Sequence, residues 1–188
     1  MAVIPAGTEV PFTVTYLEMP ENPGLAAPDL PEDVRLEHAA DAPVWFFLSM
    51  YHAVGRAYEW RDRFQQAKDD PEALAAFVCD PLVEMWVAYA KGWPQGFFML
   101  DRRKAGICDL AYFGLVPEAV GAGLGGTLLR TAIAKGWRRG VSKMTVNTCT
   151  LDHPRALDLY KKLGFRPVRT EDRKRVLHRD RDTALHPA

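Results

Sequence analysis

The stretch LVPEAVGAGLGGTLL, residues 115–129, decides how this chain is read. Four glycines, Gly121, Gly123, Gly125 and Gly126, fall within it, and Leu124, Leu128, Leu129, Ala132, Ile133 and Trp137 then share one face of a helix. Glycine loses more conformational freedom on folding than any other residue, so a turn that merely reverses the chain has little use for four of them. Glycines ahead of a helix instead let successive backbone N–H groups point at one anion, with the helix dipole adding to their pull. Gly121, Gly123 and Gly126 also spell G-x-G-x-x-G between a strand and a helix, the setting of a dinucleotide site. Such a site asks for an acidic residue near the end of the next strand, where this chain has Val146 and Asn147. Too few residues follow Gly126 to build a doubly wound parallel sheet, which weighs against a nicotinamide-dependent oxidoreductase.

Upstream, VEMWVAYA (83–90), GFFMLD (96–101) and GICDLAYFGLV (106–116) are separated by turn residues and predict three strands in an antiparallel meander. After Pro43, Val44, Phe47, Leu48, Tyr51 and Val54 recur at helical spacing. A second helix is expected to include residues 60–67, and a third starts at Asp70 as N-cap, with Pro71, Glu72 and then Leu74, Phe77 and Val78. FTVTYLEM (12–19) predicts a first strand, and the proline-rich stretch 20–31 predicts irregular chain. Downstream come a strand over 143–150, a short helix with Ala156, Leu159, Tyr160 and Leu163 on one face, and a last strand from Phe165. Nine of the twelve residues from Glu171 to Asp182 are charged, which predicts a solvated edge or a frayed end.

The 188 residues are 48% apolar and 26% charged, which suits one globular domain over residues 1–188 with a charged C-terminal tail, 171–188. Twenty-four basic residues balance twenty-four acidic ones, so no nucleic-acid partner is implied. Cys79, Cys108 and Cys149 are odd in number and widely spaced, giving neither a metal site nor a disulfide framework; a reducing, cytoplasmic location is expected. The N-terminal residues do not read as a secretory signal, and no apolar run is long enough for a membrane span.

The second informative block is LDHPRALDLYKKLGF, residues 151–165. Together the two blocks resemble the signatures of the GNAT superfamily of acyl-CoA-dependent N-acyltransferases. Gly123 and Gly125 match the glycines of its V-x-P-x-x-(R/Q)-x-x-G-x-G/A motif. Ala156, Tyr160, Gly164 and Phe165 match its N-x-x-A-x-x-x-Y-x-x-x-GF pattern. The resemblance covers about residues 109–168 and implies a mixed, mostly antiparallel central sheet flanked by helices, an α/β (α+β) fold that opens with a strand and helices ahead of the meander. It also implies acetyl-CoA as co-substrate, no metal, and transfer of an acetyl group to a primary amine of a small molecule or an exposed peptide.

By that resemblance the strand before the glycine turn bulges around residues 113–116, and backbone groups of Phe113, Leu115 and Val116 hold the pantetheine arm. Gly121, Ala122, Gly123, Leu124, Gly125, Gly126 and Thr127 cradle the pyrophosphate, and His153 and Ala156 meet the cofactor from the second block. Tyr160 is the expected general acid, since a phenol of pKa near 10 can protonate a thiolate of pKa near 8.5 as it leaves. Three positions depart from the pattern: Val120 stands where Arg or Gln is usual, His153 where Asn is usual, and Thr148 where some relatives carry a Glu base. Asp109, Glu84, Asp152 or a water chain remain as routes for removing the amine proton. Tyr51, Tyr58, Trp60 and Arg61 are candidates for the acceptor side, whereas His38 and His52 are read as structural. An exposed strand edge near the C-terminus could pair with a second subunit to give a homodimer or be covered by the charged tail, and a catalytically silent acyl-CoA-binding module is the alternative function.

Overall fold

The computed structural model describes residues 3–182; the last six residues of the expected charged tail lie outside them. The chain runs β1 (Val3–Ile4), β2 (Glu9–Met19), β3 (Arg35–His38), α1 (Val44–Gly55), α2 (Asp62–Asp69), α3 (Pro71–Val78), β4 (Val83–Ala90), β5 (Trp93–Asp101) and β6 (Ile107–Leu115). A short 3-10 turn (Pro117–Ala119) leads to α4 (Leu124–Gly136), β7 (Lys143–Cys149), α5 (Ala156–Lys162), β8 (Arg166–Val176) and β9 (Arg181–Asp182). Seven strands form one sheet in the order β3-β4-β5-β6-β7-β2-β8, and β1 pairs with β9 apart from it. Every neighbouring pair in the large sheet is antiparallel except β6 and β7. The expected mixed, mostly antiparallel sheet flanked by helices is therefore the observed fold.

Both faces of the sheet centre are covered. The β5 run Phe97–Leu100 is fully buried: Phe98 and Leu100 pack with Leu128, Leu129 and Ile133 of α4, while Phe97 and Met99 pack with Phe47 of α1 and Leu74 of α3. A continuous apolar run is what a strand buried on both faces requires. Along β2 the buried side changes. Val10, Phe12 and Val14 pack in a small separate cluster with Leu151 and Leu177, whereas Leu17 and Met19 join the α4 core. Residues of β2 alternate between the two faces without interruption, so what changes is which face is covered; the extra residue at the irregular pairing with β8 is Val168, on β8.

Several local expectations hold for stated reasons. The Asp70 carboxylate accepts the Ala73 N–H at 3.0 Å, capping α3. Others change. The opening strand lies between β7 and β8, far from the meander, and the strand beside β4 is β3, whose charged sequence RLEH gives no strand signal. Helix α2 starts at Asp62, so Trp60 and Arg61 precede it; a Cβ on Gly55 would meet the Trp60 Cβ at 2.3 Å and its ring at 2.4 Å, and this close approach fixes the connection. Residues 166–176 are a continuous edge strand bonded to β2, so that part of the charged stretch is a solvated edge and not a frayed end.

Gly96 lies opposite Leu115 in the β5–β6 ladder, and a Cβ there would come within 2.4 Å of the Gly114 carbonyl oxygen. Backbone cannot rotate away as a side chain can. Gly96→Ala is therefore expected to cost about 1–3 kcal/mol, read as a lower urea midpoint at unchanged denaturant slope.

Candidate active site

The parallel pairing of β6 with β7 consists of Ile107 with Lys143, Cys108 with Met144, and Asp109 with Thr145, and then stops. Two residues later β6 bulges. Leu110 pairs with Leu100 and Tyr112 with Met99, leaving Ala111 as the extra residue. From Leu110 to Leu115 the edge of β6 facing β7 has no strand partner, and a cleft of about 580 Å³ opens there. Its walls are this β6 segment, Asn147 and Thr148 at the end of β7, α5, the glycine turn, and Val54, Tyr58 and Trp60 from α1 and the connection after it. The bulge falls two residues ahead of the expected stretch 113–116. Gly114 lets α1 come close, because a Cβ there would meet Val54 Cγ1 at 2.4 Å.

Gly121 (φ +91°) and Gly123 (φ +82°) take left-handed conformations that other residues rarely adopt. Gly123 is the N-cap of α4, so no side chain caps the helix and the N–H groups of its first turn keep their capacity for an outside acceptor. A Cβ added at Gly121, Gly123 or Gly126 meets nothing within 4 Å, and all three glycines line the cleft. Gly126 has neither a positive φ nor a crowded neighbour, so neither backbone conformation nor packing calls for glycine there. A turn of bare amides with the start of a 13-residue helix behind it fits a pyrophosphate.

Of the residues expected from the sequence, Phe113, Leu115, Gly121, Gly123, Gly125, Gly126, His153, Ala156 and Tyr160 line this cleft. The side chains of Ala122, Leu124 and Thr127 do not; Leu124 is buried against the core. Val116 is an exception of another kind: its side chain is buried on the α1 side, and its N–H donates to the Gln95 carbonyl at 2.9 Å, so it has no free amide to offer. Tyr160 is 5% exposed, packed edge-on against Phe113 and Phe165. Among the described residues its hydroxyl has no hydrogen-bond partner.

A family model for the acetyltransferase (GNAT) family matches residues 44–165. The chain belongs to that family. Similar solved structures include a protein of unknown function from Staphylococcus epidermidis (14% identity, 91% of this chain and 63% of that one, TM-score 0.61). A GCN5-related N-acetyltransferase from Sphaerobacter thermophilus matches at 18% identity over 96% of this chain and 54% of that one (TM-score 0.58). A tandem GNAT protein from the clavulanic acid biosynthesis pathway matches at 18% identity over 91% and 54% (TM-score 0.59). The chain thus spans just over half to 63% of the length of these three proteins, and at these identities the likeness is one of fold. No curated protein matches this chain. GNAT proteins use acetyl-CoA as co-substrate, and the glycine turn fits its pyrophosphate.

The three carboxylates weighed as bases differ in their surroundings. Glu84 holds Arg102 at 2.7 Å and Arg138 at 3.0 Å, and is no part of the cleft wall. Asp109 accepts the Thr145 hydroxyl at the last rung of the β6–β7 ladder, below the opening; burial pushes its pKa up. Asp152 does line the cleft, but one oxygen accepts the Trp60 indole N–H at 3.0 Å and the other accepts the Thr148 hydroxyl at 2.8 Å and the Cys149 N–H at 2.9 Å. None of the three stands unengaged in the cleft. Burial raises Cys108 to about 11 and Cys149 to about 12, which disfavours their thiolates, and no cysteine lines the cleft. Among the described residues no group of three or more His, Cys, Asp or Glu is placed to hold a metal, and no helix is long and apolar enough to cross a membrane.

Tyr58 and Trp60 line the cleft as the acceptor reading expects, but Tyr51 is core, packed at tilted and edge-on angles among Phe47, Trp60 and Tyr112, and Arg61 faces a separate smaller pocket. His38 stacks on Trp86 at 4.7 Å, a packing role. Sequence reading did not single out Asn147, Tyr112, Arg155 or Lys162, all of which line the cleft. The seven-residue spacing of the last two, on one side of α5, was the only available signal.

His153 Nδ1 accepts the Arg155 N–H at 3.2 Å, which leaves the proton of the neutral ring on Nε2. Its pKa is lowered by burial and then by Arg155; that of His52 is lowered by burial and then by Arg179, Arg56 and Arg61. The unfolded chain takes up protons on both rings as pH falls through about 6.5, while the folded chain resists. Folding stability is therefore full above that pH and declines as pH drops towards the lowered folded values. Urea midpoints at pH 7.5 and 5.5 are expected to show this fall, and a His52→Asn, His153→Asn double variant a smaller one.

Proposed function

We propose that the chain is an N-acetyltransferase, a single domain over residues 1–188, that moves an acetyl group from acetyl-CoA directly to a primary amine of a small molecule or an exposed peptide. The observation that carries this reading is the join of three features in one cleft: the unpartnered edge of β6, the bare glycine turn at the start of α4, and the Tyr160 hydroxyl. When bound, acetyl-CoA supplies an activated acyl group and a thiol leaving group. The amides of α4's first turn would hold its pyrophosphate, without the basic side chain that Val120 replaces. Backbone groups of Phe113 and Leu115 would orient the arm, and the Nε2–H of His153 would donate to it. Burial, then Asp152 and Asp109, raises the pKa of Tyr160, so its hydroxyl keeps its proton over the whole working range. That proton leaves Tyr160 only as negative charge builds on the departing sulfur.

With Asp152, Asp109 and Glu84 all engaged, removal of the amine proton falls to water, and acceptors already neutral at the working pH are favoured. The same engagement of every carboxylate also favours a second reading, a silent acyl-CoA-binding module. Thiol release across a panel of primary amines separates the two: turnover supports the transferase, and tight coenzyme A binding with no release supports the module.

Two substitutions test the assigned roles. Tyr160→Phe removes a hydroxyl with no partner, so thermal stability is expected to change little while kcat falls by about 10²–10⁴-fold; normal turnover with lost stability would make Tyr160 a core residue only. Gly126→Ala adds a methyl group at an unstrained helical position and is expected to raise folding stability by up to about 1 kcal/mol. The same methyl enters the cradle, so the thermal shift produced by coenzyme A is expected to shrink.

A further inference from the structure

Across Trp60 from the cleft lies a second pocket of about 220 Å³, walled by His52, Arg56, Arg61, Arg179, Trp60 and Phe64. Trp60 lines both cavities, and its N–H is held by Asp152 on the cleft side. Three guanidinium groups from three parts of the chain meet here: the end of α1, the connection to α2, and the segment after β8. Their charge is poorly compensated. Arg56 has a partner at the rim, Glu118 at 3.0 Å. The Arg61 side chain makes no hydrogen bond or ion pair among the described residues, and the Arg179 side chain reaches only the Arg56 carbonyl, at 3.4 Å. The one carboxylate of the lining, Glu59, is 5% exposed and accepts the His178 N–H at 3.1 Å, while its own carbonyl is bonded by Arg175. Glu59 thereby ties the 175–179 segment to the α1–α2 connection and holds Arg179 over the pocket.

Uncompensated guanidinium groups converging on a concave site recognise planar or tetrahedral oxyanions, because their forked donors match carboxylate and phosphate geometry. His52 reports the same field, since all three arginines disfavour its protonation. We propose that this pocket binds a carboxylate or phosphate group, carried by the amine acceptor whose nitrogen enters the neighbouring cleft. The assignment to the acceptor rests on the transferase reading; the anion site itself does not. The overall charge of zero hides it, since a sum over the chain carries no positions.

The test is an NMR titration of the His52 ring signals with inorganic phosphate at constant ionic strength, set against sodium chloride. A saturable shift with a rise in the His52 pKa is expected, and phosphate affinity is expected to fall at least tenfold in an Arg61→Gln, Arg179→Gln variant, whose replaced side chains are exposed and hold no strong internal bond. A response no larger than that to chloride, or one unchanged in the variant, overturns the site. Kinetics with matched amines, one member bearing a carboxylate and the other its amide, identify the source of the anion. A lower KM for the carboxylate member at similar kcat, abolished in the variant and competed by phosphate, supports the acceptor. Equal KM values with phosphate still bound overturn the acceptor in favour of a free anion. Phosphate binding without thiol release from acetyl-CoA for any amine would leave the anion site standing and remove the transferase reading alone.

Discussion

A parallel ladder holds two strands together only as far as its rungs continue, and between β6 and β7 there are three rungs. The cleft depends on that early stop. The bulge at Ala111 turns β6 away just above the last pair, and the sheet, otherwise continuous from β3 to β8, opens along one seam. An opened sheet edge is normally a liability, because its N–H and C=O groups seek a partner. Here the edge faces inward, walled by α5 and the glycine turn, so the partner it can find is a ligand laid along the seam. The burial of β5 on both faces keeps the rest of the sheet from following β6 as it turns.

The second determinant is how charge is spent. Asp152 faces the cleft, yet its oxygens accept three hydrogen bonds that tie the end of β7 to itself and to Trp60. This carboxylate holds the wall shape, and through Trp60 it joins the cleft to the arginine-lined pocket beyond. The anion capacity proposed for the cleft rests instead on backbone amides, whose partial charges no residue count includes. A neutral chain can thus present two positive sites of different construction: one of amides at a helix start, one of guanidinium groups gathered from distant segments.

How much of this is legible in the sequence varies with the range of the interaction involved. The α3 cap at Asp70, the helical stripe after Pro43, the three meander strands and the glycine turn are local patterns, and each is written in consecutive residues. Strand β3 was not legible because a four-residue edge strand buries little and RLEH has no apolar alternation to betray it. The 166–176 strand was only half legible: its charges announced an edge, but regular pairing there is imposed by β2. The start of α2 moved because Trp60 is drawn to Gly55 and Asp152, a contact made across 92 residues of chain.

By itself the sequence determined the types of the helices and of the meander strands, the family signatures of residues 115–129 and 151–165, and the candidacy of Tyr160, since periodicity, caps and spaced glycines act over a few residues. Only the tertiary structure decided that the opening strand lies between β7 and β8, that the bulge sits at Ala111, that Glu84 and Asp109 are not part of the cleft wall, and that Arg56, Arg61 and Arg179 share a pocket. The physical reason is the same throughout. These outcomes follow from packing and charge placement between segments far apart in the chain, where the arrangement that buries the most surface with its polar groups satisfied prevails over local preference.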